Sequence, residues 1–379
     1  MMLNDVIELA KKLIEIPSVT PNDMGCQEIL IDFLSKLGFR IQQFPYQQTS
    51  NFWAEIGEGD TLFCFAGHTD VVATGPLNEW HSDPFKPEIR NGYLYGRGSA
   101  DMKSEIAAMC IACREFLKQY TKFCGRIGFL ITSAEEGPSE TGTPIVLQAL
   151  AKQGVKINYC LVGEATAVER TGDMIKYGRR GSLSGALTVY GKQGHIAYPQ
   201  AAENSLHKAL PALHQFINTE WDHGNEAFQP SSLQISNVHA GTGAGNVIPG
   251  ECHVRFNFRY SPESTDEDLI ARTEAIFTEH QLSYKIDWDH SGKPFLAKRE
   301  KLVTITTQAI QEVCGITPQL STSGGTSDGR FIADYCSEVI ECGVGNQTIH
   351  QINESVNLQD LSQITDIYYL ILKKLFEVA

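Results

Sequence analysis

The segment Thr61-Leu-Phe-Cys-Phe-Ala-Gly67, followed by His68-Thr69-Asp70, constrains this chain more than any other stretch. An apolar, aromatic-rich run without polar alternation reads as a strand buried on both faces of a parallel sheet. In open α/β sheets, ligands bind just beyond the carboxyl ends of such strands. Side chains alternate along a strand, so His68 and Asp70 share one side. That spacing suits a metal ligand and its orienting acid, because an imidazole donates its second N–H to such a carboxylate. Taken singly, the segment also reads as a strand ending in a polar turn. Recurrence of the pattern decides between the two.

Arg126–Thr132 is another buried run and ends in Ser133-Ala-Glu135-Glu136-Gly137, while Tyr159-Cys-Leu-Val-Gly leads into Glu164. Tyr93-Leu-Tyr-Gly-Arg-Gly-Ser-Ala-Asp101 delivers the chain into a helical stretch over 102–120. Helical patterns at 3–16, 25–37, 102–120 and 143–152 alternate with strand patterns at 39–45, 51–56, 61–67, 126–132 and 159–163. This alternation predicts an α/β layout with a largely parallel central sheet flanked by helices. Near Arg180 the character changes to strand 183–190, helix 203–219, strands 231–239 and 251–259, helix 265–280 and strand 282–289. The order β-α-β-β-α-β is that of a ferredoxin-like α+β unit. From Lys293 the first pattern resumes with helix 300–314, the segment Ser323–Gly329, strand 338–342, a loop holding His350 and helix 358–377. The chain therefore reads as a discontinuous catalytic domain, 1–180 and 293–379, interrupted by a ferredoxin-like domain over 181–292, an arrangement that 379 residues accommodate.

A net charge of −14 argues against nucleic acid or an anionic membrane as the main partner. It leaves room for an acidic substrate held by a few arginines in a cleft. No apolar run reaches the roughly 20 residues of a membrane span, and Met1–Lys12 mixes acids with apolar residues rather than forming a basic-then-apolar leader. The expected location is the cytoplasm. The ten cysteines form no framework and read as free, mostly buried thiols. Cys110 and Cys113 make one C-x-x-C, but three residues apart on a helix they share a face and read as core.

The polar residues at strand ends are His68, Asp70, Asp101, Glu135, Glu136 and Glu164, with His350 from the returning segment. Imidazoles and carboxylates without thiolates suit Zn²⁺, Mn²⁺ or Co²⁺. The set exceeds what one catalytic ion needs. A bridging carboxylate lets it serve two ions roughly 3.5–4 Å apart, and Asp101 is the natural bridge. Each residue also has an ordinary reading: Asp101 as a helix cap, Glu135 and Glu136 as a solvated pair, Glu164 and His350 as surface residues. Adjacent carboxylates after a buried strand repel unless a cation or proton separates them. On an extended chain neighbours point oppositely, so one can bind metal while the other acts as base.

Gly67-His-Thr-Asp70-Val-Val, Gly96-Arg-Gly-Ser-Ala-Asp101-Met-Lys, Ala134-Glu-Glu-Gly137 and Val162-Gly-Glu164 resemble the motifs of the di-zinc aminoacylase and carboxypeptidase family. Gly194-His-Ile-Ala-Tyr-Pro199, Gly241-Thr-Gly-Ala-Gly-Asn246-Val-Ile-Pro249, Ser323-Gly-Gly-Thr-Ser-Asp-Gly-Arg330 and Thr348-Ile-His350 narrow the resemblance to a branch acting on a succinylated diamino-dicarboxylate. The resemblance spans essentially the whole chain. It implies two Zn²⁺ per subunit, replaceable by Co²⁺ or Mn²⁺, on His68, Asp101, Glu136, Glu164 and His350, with Asp101 bridging. It further implies that Asp70 orients His68 and that Glu135 is the general acid and base of an amide hydrolysis. By the same resemblance the protein is a homodimer in which His195 reaches the partner's active site and donates to the oxyanion. Arg179, Ser182, Tyr198, Asn246, Arg259, Gly325 and Thr326 would hold the substrate's carboxylates and amide.

Departures occur at Ser104, where the family usually has glycine, at Ala165-Thr166 in place of Pro-Ser, and at Ala73-Thr74-Gly75-Pro76. None touches an expected ligand. The competing readings are another deacylase or peptidase of the family, such as an acetylornithine deacetylase, a carboxypeptidase or a dipeptidase, and a metal-free binding protein on the same scaffold. The intact ligand positions argue against the last.

Overall fold

The computed structural model describes residues 2–298 and 300–377. Its described residues divide into two compact units, one of Met1–Gly178, Leu296–Ser321 and Ser327–Ala379, the other of Arg179–Phe295 and Thr322–Thr326. Residues 322–326, expected with the first unit, therefore group with the second. Two hydrogen bonds explain this: Arg179 Nη1 donates to the Ser323 carbonyl at 3.0 Å and Thr322 Oγ1 to the Ala227 carbonyl at 2.6 Å.

In the first unit an eight-stranded sheet runs in the order Arg40–Gln43, Asn51–Glu58, Gly125–Thr132, Leu62–His68, Ile157–Val162, Cys336–Glu341, Met174–Lys176, Gln319–Ser321. The three central pairings, from Gly125–Thr132 to Cys336–Glu341, are parallel. Antiparallel pairings flank them, and a further parallel pair closes the far edge. Leu62–His68 sits in the middle and is buried at every position, as an unalternating run must be. Helices Lys103–Gln119 and Leu358–Leu375 pack together, the first also against Met2–Ile14 and the second against Lys301–Cys314. Phe65 stacks against Phe129 and Tyr368 at 5.4 and 5.5 Å between ring centroids. Cys110 and Cys113 lie buried in helix 103–119, and all ten cysteines are free thiols.

The stretch 73–92 contains one strand of a small three-stranded sheet formed by Glu88–Arg90, Tyr93–Tyr95 and Ser355–Asn357. Tyr95 pairs with Ser355, which ties the approach to Asp101 to the chain just after His350.

The second unit is a four-stranded antiparallel sheet in the order Ser232–Ala240, Glu251–Tyr260, Gly181–Tyr190, Ser283–Gly292. With helices Ser205–Asn218 and Asp266–Glu279 this is the ferredoxin-like pattern. Strand Glu251–Tyr260 alternates between exposed and buried residues. Its Val254, Phe256 and Phe258 join Leu187, Phe216 and Phe277 in the unit's core. Asn204 and Thr265 cap the two helices by accepting backbone N–H groups. Among the described residues no helix is long and apolar enough to cross a membrane.

Candidate metal centre

Strand register sets the level of the first ligands. Ala66 lies opposite Val162 and His68 opposite Thr132. Glu164, two residues past Val162, therefore comes level with His68, and Glu135 and Glu136 follow just beyond Thr132. The glycines before these ligands sit against methionine tips: a Cβ on Gly67 would stand 2.6 Å from Met102 Cε, and one on Gly163 2.3 Å from Met109 Cε, so a side chain at either position would require that methionine to move.

His68 is buried, and its Nδ1 lies 2.9 Å from the Asp70 carbonyl oxygen and 3.5 Å from the Asp70 carboxylate. The closer orienting partner is thus the carbonyl, not the carboxyl expected from the spacing. With Nδ1–H directed there, the Nε2 lone pair faces the cluster. His68 Nε2 stands 3.2 Å from Asp101 Oδ1 and 3.8 Å from Glu164 Oε1. On the other side, His350 Nε2 stands 3.3 Å from Asp101 Oδ2 and 2.8 Å from Glu136 Oε1. Asp101 thus offers one oxygen to each histidine.

The Asp70 carboxylate has a second duty that the sequence does not reveal. It accepts the backbone N–H of Glu135 at 3.2 Å and that of Glu136 at 3.0 Å. The two acids sit in a bend clamped by Asp70 rather than on an extended strand end. Glu354, also outside the sequence reading, holds the loop before Asp101. Nothing around Glu354 in the sequence distinguishes it from a surface acid, because its partners lie far away in the chain.

Charge balance in the cluster is strained without cations. Burial favours a neutral His68, but hydrogen bonds to Asp101 and Asp70 outweigh it and hold the ring well above its ordinary range. Hydrogen bonds to Asp101 and Glu136 push His350 up to about 10. Burial would raise Asp101, yet its bonds from His350 and His68 hold it below the usual carboxylate range. Burial and the Asp101 charge push Glu164 well above its ordinary value. Glu135 keeps some open surface, but loss of hydration dominates, and with Asp328 and Glu136 nearby it is pushed up to about 8.

The donor set fits two divalent ions. Tetrahedral donors about 2.0–2.2 Å from an ion stand roughly 3.3–3.6 Å apart, and the separations here of 2.8 to 3.8 Å bracket that range. His68, Asp101 and Glu164 form one group with ligand atoms within 4.8 Å of one another; Asp101, Glu136 and His350 form a second, and His68, Glu135 and Glu136 a third.

The family model described as Peptidase family M20/M25/M40 matches residues 64–374. The chain belongs to that family. As a member it is a hydrolase, and the family's metal dependence matches the donor set above. It is 54% identical over 374 residues to a succinyl-diaminopimelate desuccinylase of Nitrosospira multiformis, covering 99% of each chain. A protein of the same name from Acinetobacter baumannii is 53% identical over 372 residues, 98% of this chain and 99% of that one. Among solved structures, a metallo-carboxypeptidase from Sulfolobus solfataricus superposes with TM-score 0.84 at 16% identity, over 97% of this chain and 98% of that one. A dinuclear metal binding peptidase from Bacillus subtilis gives 0.73 at 14% identity, over 100% and 99%. These two likenesses speak to the fold.

The remaining expected site residues lie in the second unit. Ser182 pairs with Arg259 across neighbouring strands, and Arg179 holds the Ser323 carbonyl next to Gly325 and Thr326. His195, Tyr198 and Asn246 lie beyond the other end of the same strands, where Gly194–His195 pairs with Val247–Ile248. His195 is exposed, and its Nδ1 accepts the Ala197 N–H at 3.1 Å, which leaves Nε2 as the protonated nitrogen.

Proposed function

We propose that this chain is a succinyl-diaminopimelate desuccinylase that hydrolyses N-succinyl-LL-2,6-diaminopimelate to succinate and LL-2,6-diaminopimelate, in lysine and meso-diaminopimelate biosynthesis. The single observation that carries the metal chemistry is Asp101, whose two oxygens face two histidines from opposite ends of the chain. His68, Asp101 and Glu164 would hold one Zn²⁺, and Asp101, Glu136 and His350 the second. Bound there, the pair supplies Lewis acidity and lowers the pKa of a bound water towards roughly 7. Glu135 accepts the proton of the attacking water at its carboxylate and returns it to the leaving amine nitrogen. Asp70 keeps Glu135 and Glu136 in place through their amides. Arg179 and Arg259 pair with substrate carboxylates, which a guanidinium matches in a bidentate fork. Ser182, Tyr198, Asn246, Gly325 and Thr326 complete the hold on carboxylates and amide.

The second unit supports a homodimer. Ser182 and Tyr190 are separated by eight strand steps, roughly 27 Å at about 3.4 Å per residue. Arg259 at one end and His195 at the other cannot both reach one small substrate from a single chain. With two copies they can, and the partner's His195 would then donate Nε2–H to the oxyanion. The outer face of helix Ser205–Asn218 and the adjoining edge strand offer apolar contact, with Leu210, Ile217 and Val238 each more than half exposed. Ten unpaired cysteines go with a reducing, cytoplasmic setting.

The test combines anaerobic metal analysis with rates on N-succinyl-LL-2,6-diaminopimelate and on N-acetylornithine. Two zinc ions per chain and strong preference for the succinylated substrate are expected. Equal rates on both substrates, or full activity after exhaustive chelation, would overturn the reading.

A further inference from the structure

Two segments of the chain meet at Glu354, whose carboxylate is buried at 1% exposure. Its Oε1 accepts the N–H groups of Ala100 at 2.8 Å and Asp101 at 3.0 Å. Its Oε2 accepts the Gly98 N–H at 2.9 Å and the Arg97 guanidinium at 2.8 Å. The Glu354 backbone carbonyl takes the Gly96 N–H at 3.0 Å. Arg97, equally buried, lies 5.2 Å over the Trp80 ring and donates to the carbonyls of Gln351 and Ala73 at 3.1 and 3.3 Å. One carboxylate thus binds three backbone donors between Gly96 and Asp101, those of Gly98, Ala100 and Asp101, and its own loop carries His350 four residues earlier.

An ordinary loop or helix cap needs one or two such bonds. Four charge-assisted bonds on a buried acid fix both the course and the direction of the backbone at Asp101. His68 and Glu164 are placed differently: they sit at the ends of paired strands, and neither belongs to a segment that Glu354 binds. The ligands therefore differ in support: His68, Glu164 and Glu136 hang on strand ends of the sheet, His350 on the junction between segments 96–101 and 350–354, and Asp101, shared by both groups, on that junction too.

We propose that Glu354 is a positioning residue that sets the separation of Asp101 and His350, and thereby the affinity of the cation held by His350, Asp101 and Glu136. This rests on reading those residues as metal ligands. Support of this kind is typically worth about 10- to 100-fold in metal affinity.

The experiment titrates chelator-stripped protein with Zn²⁺ against a competing chelator, for the parent and for Glu354→Gln, with His350→Ala and His68→Ala identifying which binding step belongs to which group. Glu354→Gln keeps the size but turns an amide NH₂ towards donors. The expected result is about 10- to 100-fold weaker binding at the step lost in His350→Ala and less than about 3-fold change at the other. Equal weakening at both steps, or none at either, would overturn the proposal. A parent protein that takes up fewer than two ions would instead overturn the metal reading. Amide hydrogen exchange on the metal-stripped parent decides the matter even where Glu354→Gln does not fold. Gly98, Ala100 and Asp101 should be strongly protected without metal, and exchange at exposed-loop rates would sink the idea.

Discussion

The rim of the eight-stranded sheet and the two ends of the four-stranded sheet carry equally polar side chains, organised in opposite ways. At the rim, residues from five distant segments converge until histidine and carboxylate atoms are 2.8 to 3.8 Å apart. Three of the five are held by a further group: His68 by the Asp70 carbonyl, the Glu135–Glu136 bend by the Asp70 carboxylate, the Asp101 loop by Glu354. On the smaller sheet, Arg259 with Ser182 and His195 with Asn246 stand at opposite ends, and His195 and Asn246 are exposed. The rim is a finished constellation within one chain. In the proposed function the smaller sheet holds two half-sets that a second copy would complete, so chemistry and recognition would be built by different rules in one molecule.

The largest expected effect falls on the rim. Glu135→Gln should lower kcat by about 10²- to 10⁴-fold while zinc content by elemental analysis stays at the parent level. Activity within tenfold of the parent would remove Glu135 as the proton carrier and leave the rim a binding site only. His195→Ala comes next, with about 10²- to 10³-fold lost from kcat, the range for removing one oxyanion donor. The two variants together examine the contrast itself. Mixed and reassociated at equal amounts, inactive Glu135→Gln and His195→Ala chains should regain about a quarter of parental activity, because half of the resulting dimers are mixed and each mixed dimer has one intact site. No recovery would mean that His195 serves its own chain, and the two half-sets would then need another explanation.

Legibility from sequence follows the same divide. His68 and Glu164 were readable because buried, unalternating runs announce parallel strands, and such strands end where ligands gather. The place of Asp101 facing both histidines agrees with its position in the chain between the strand-end sets. Glu354 was not readable, since its meaning lies wholly in donors more than 250 residues away. The grouping of Gly325 and Thr326 with the smaller unit was also hidden, because it depends on single hydrogen bonds from Arg179 and Thr322 rather than on any periodicity. The short strands Glu88–Arg90 and Met174–Lys176 escaped for a related reason: three residues are too few for a pattern to show, and pairing alone defines them. Residue choice within the Glu135–Glu136 pair came from family resemblance, and the clamp by Asp70 supplies the physical setting afterwards.

Recognition on the smaller sheet should respond more gently. Arg259→Ala and Arg179→Ala should each raise KM for the succinylated substrate by about 10- to 100-fold, the worth of a charge-assisted pair, with zinc binding unchanged. Steady-state kinetics beside metal titration separates the two regions. A loss of zinc on either substitution would show that the units are not independent supports.

The smallest effect concerns stability of the metal-free rim. Loss of hydration, aided by Asp328 and Glu136, pushes Glu135 up to about 8 from an ordinary value of 4.5. Between those two values the unfolded chain has released this proton while the folded protein still holds it. The unfolded state then binds fewer protons, so stability falls as pH rises through that window, and the whole cost is present above it. Glu135→Gln removes the titration. Metal-stripped Glu135→Gln should therefore melt higher than the metal-stripped parent at pH 8, by roughly 1–2 °C for each kcal/mol relieved. The two should converge below pH 4.5, where Glu135 is protonated in both states of the parent. Loading with zinc should shrink the difference at pH 8, because nearby positive charge favours the carboxylate form. A difference in melting temperature that is the same at both pH values would come from packing alone. It would mean that the rim is not short of positive charge, and the physical case for two cations there would lose its electrostatic half.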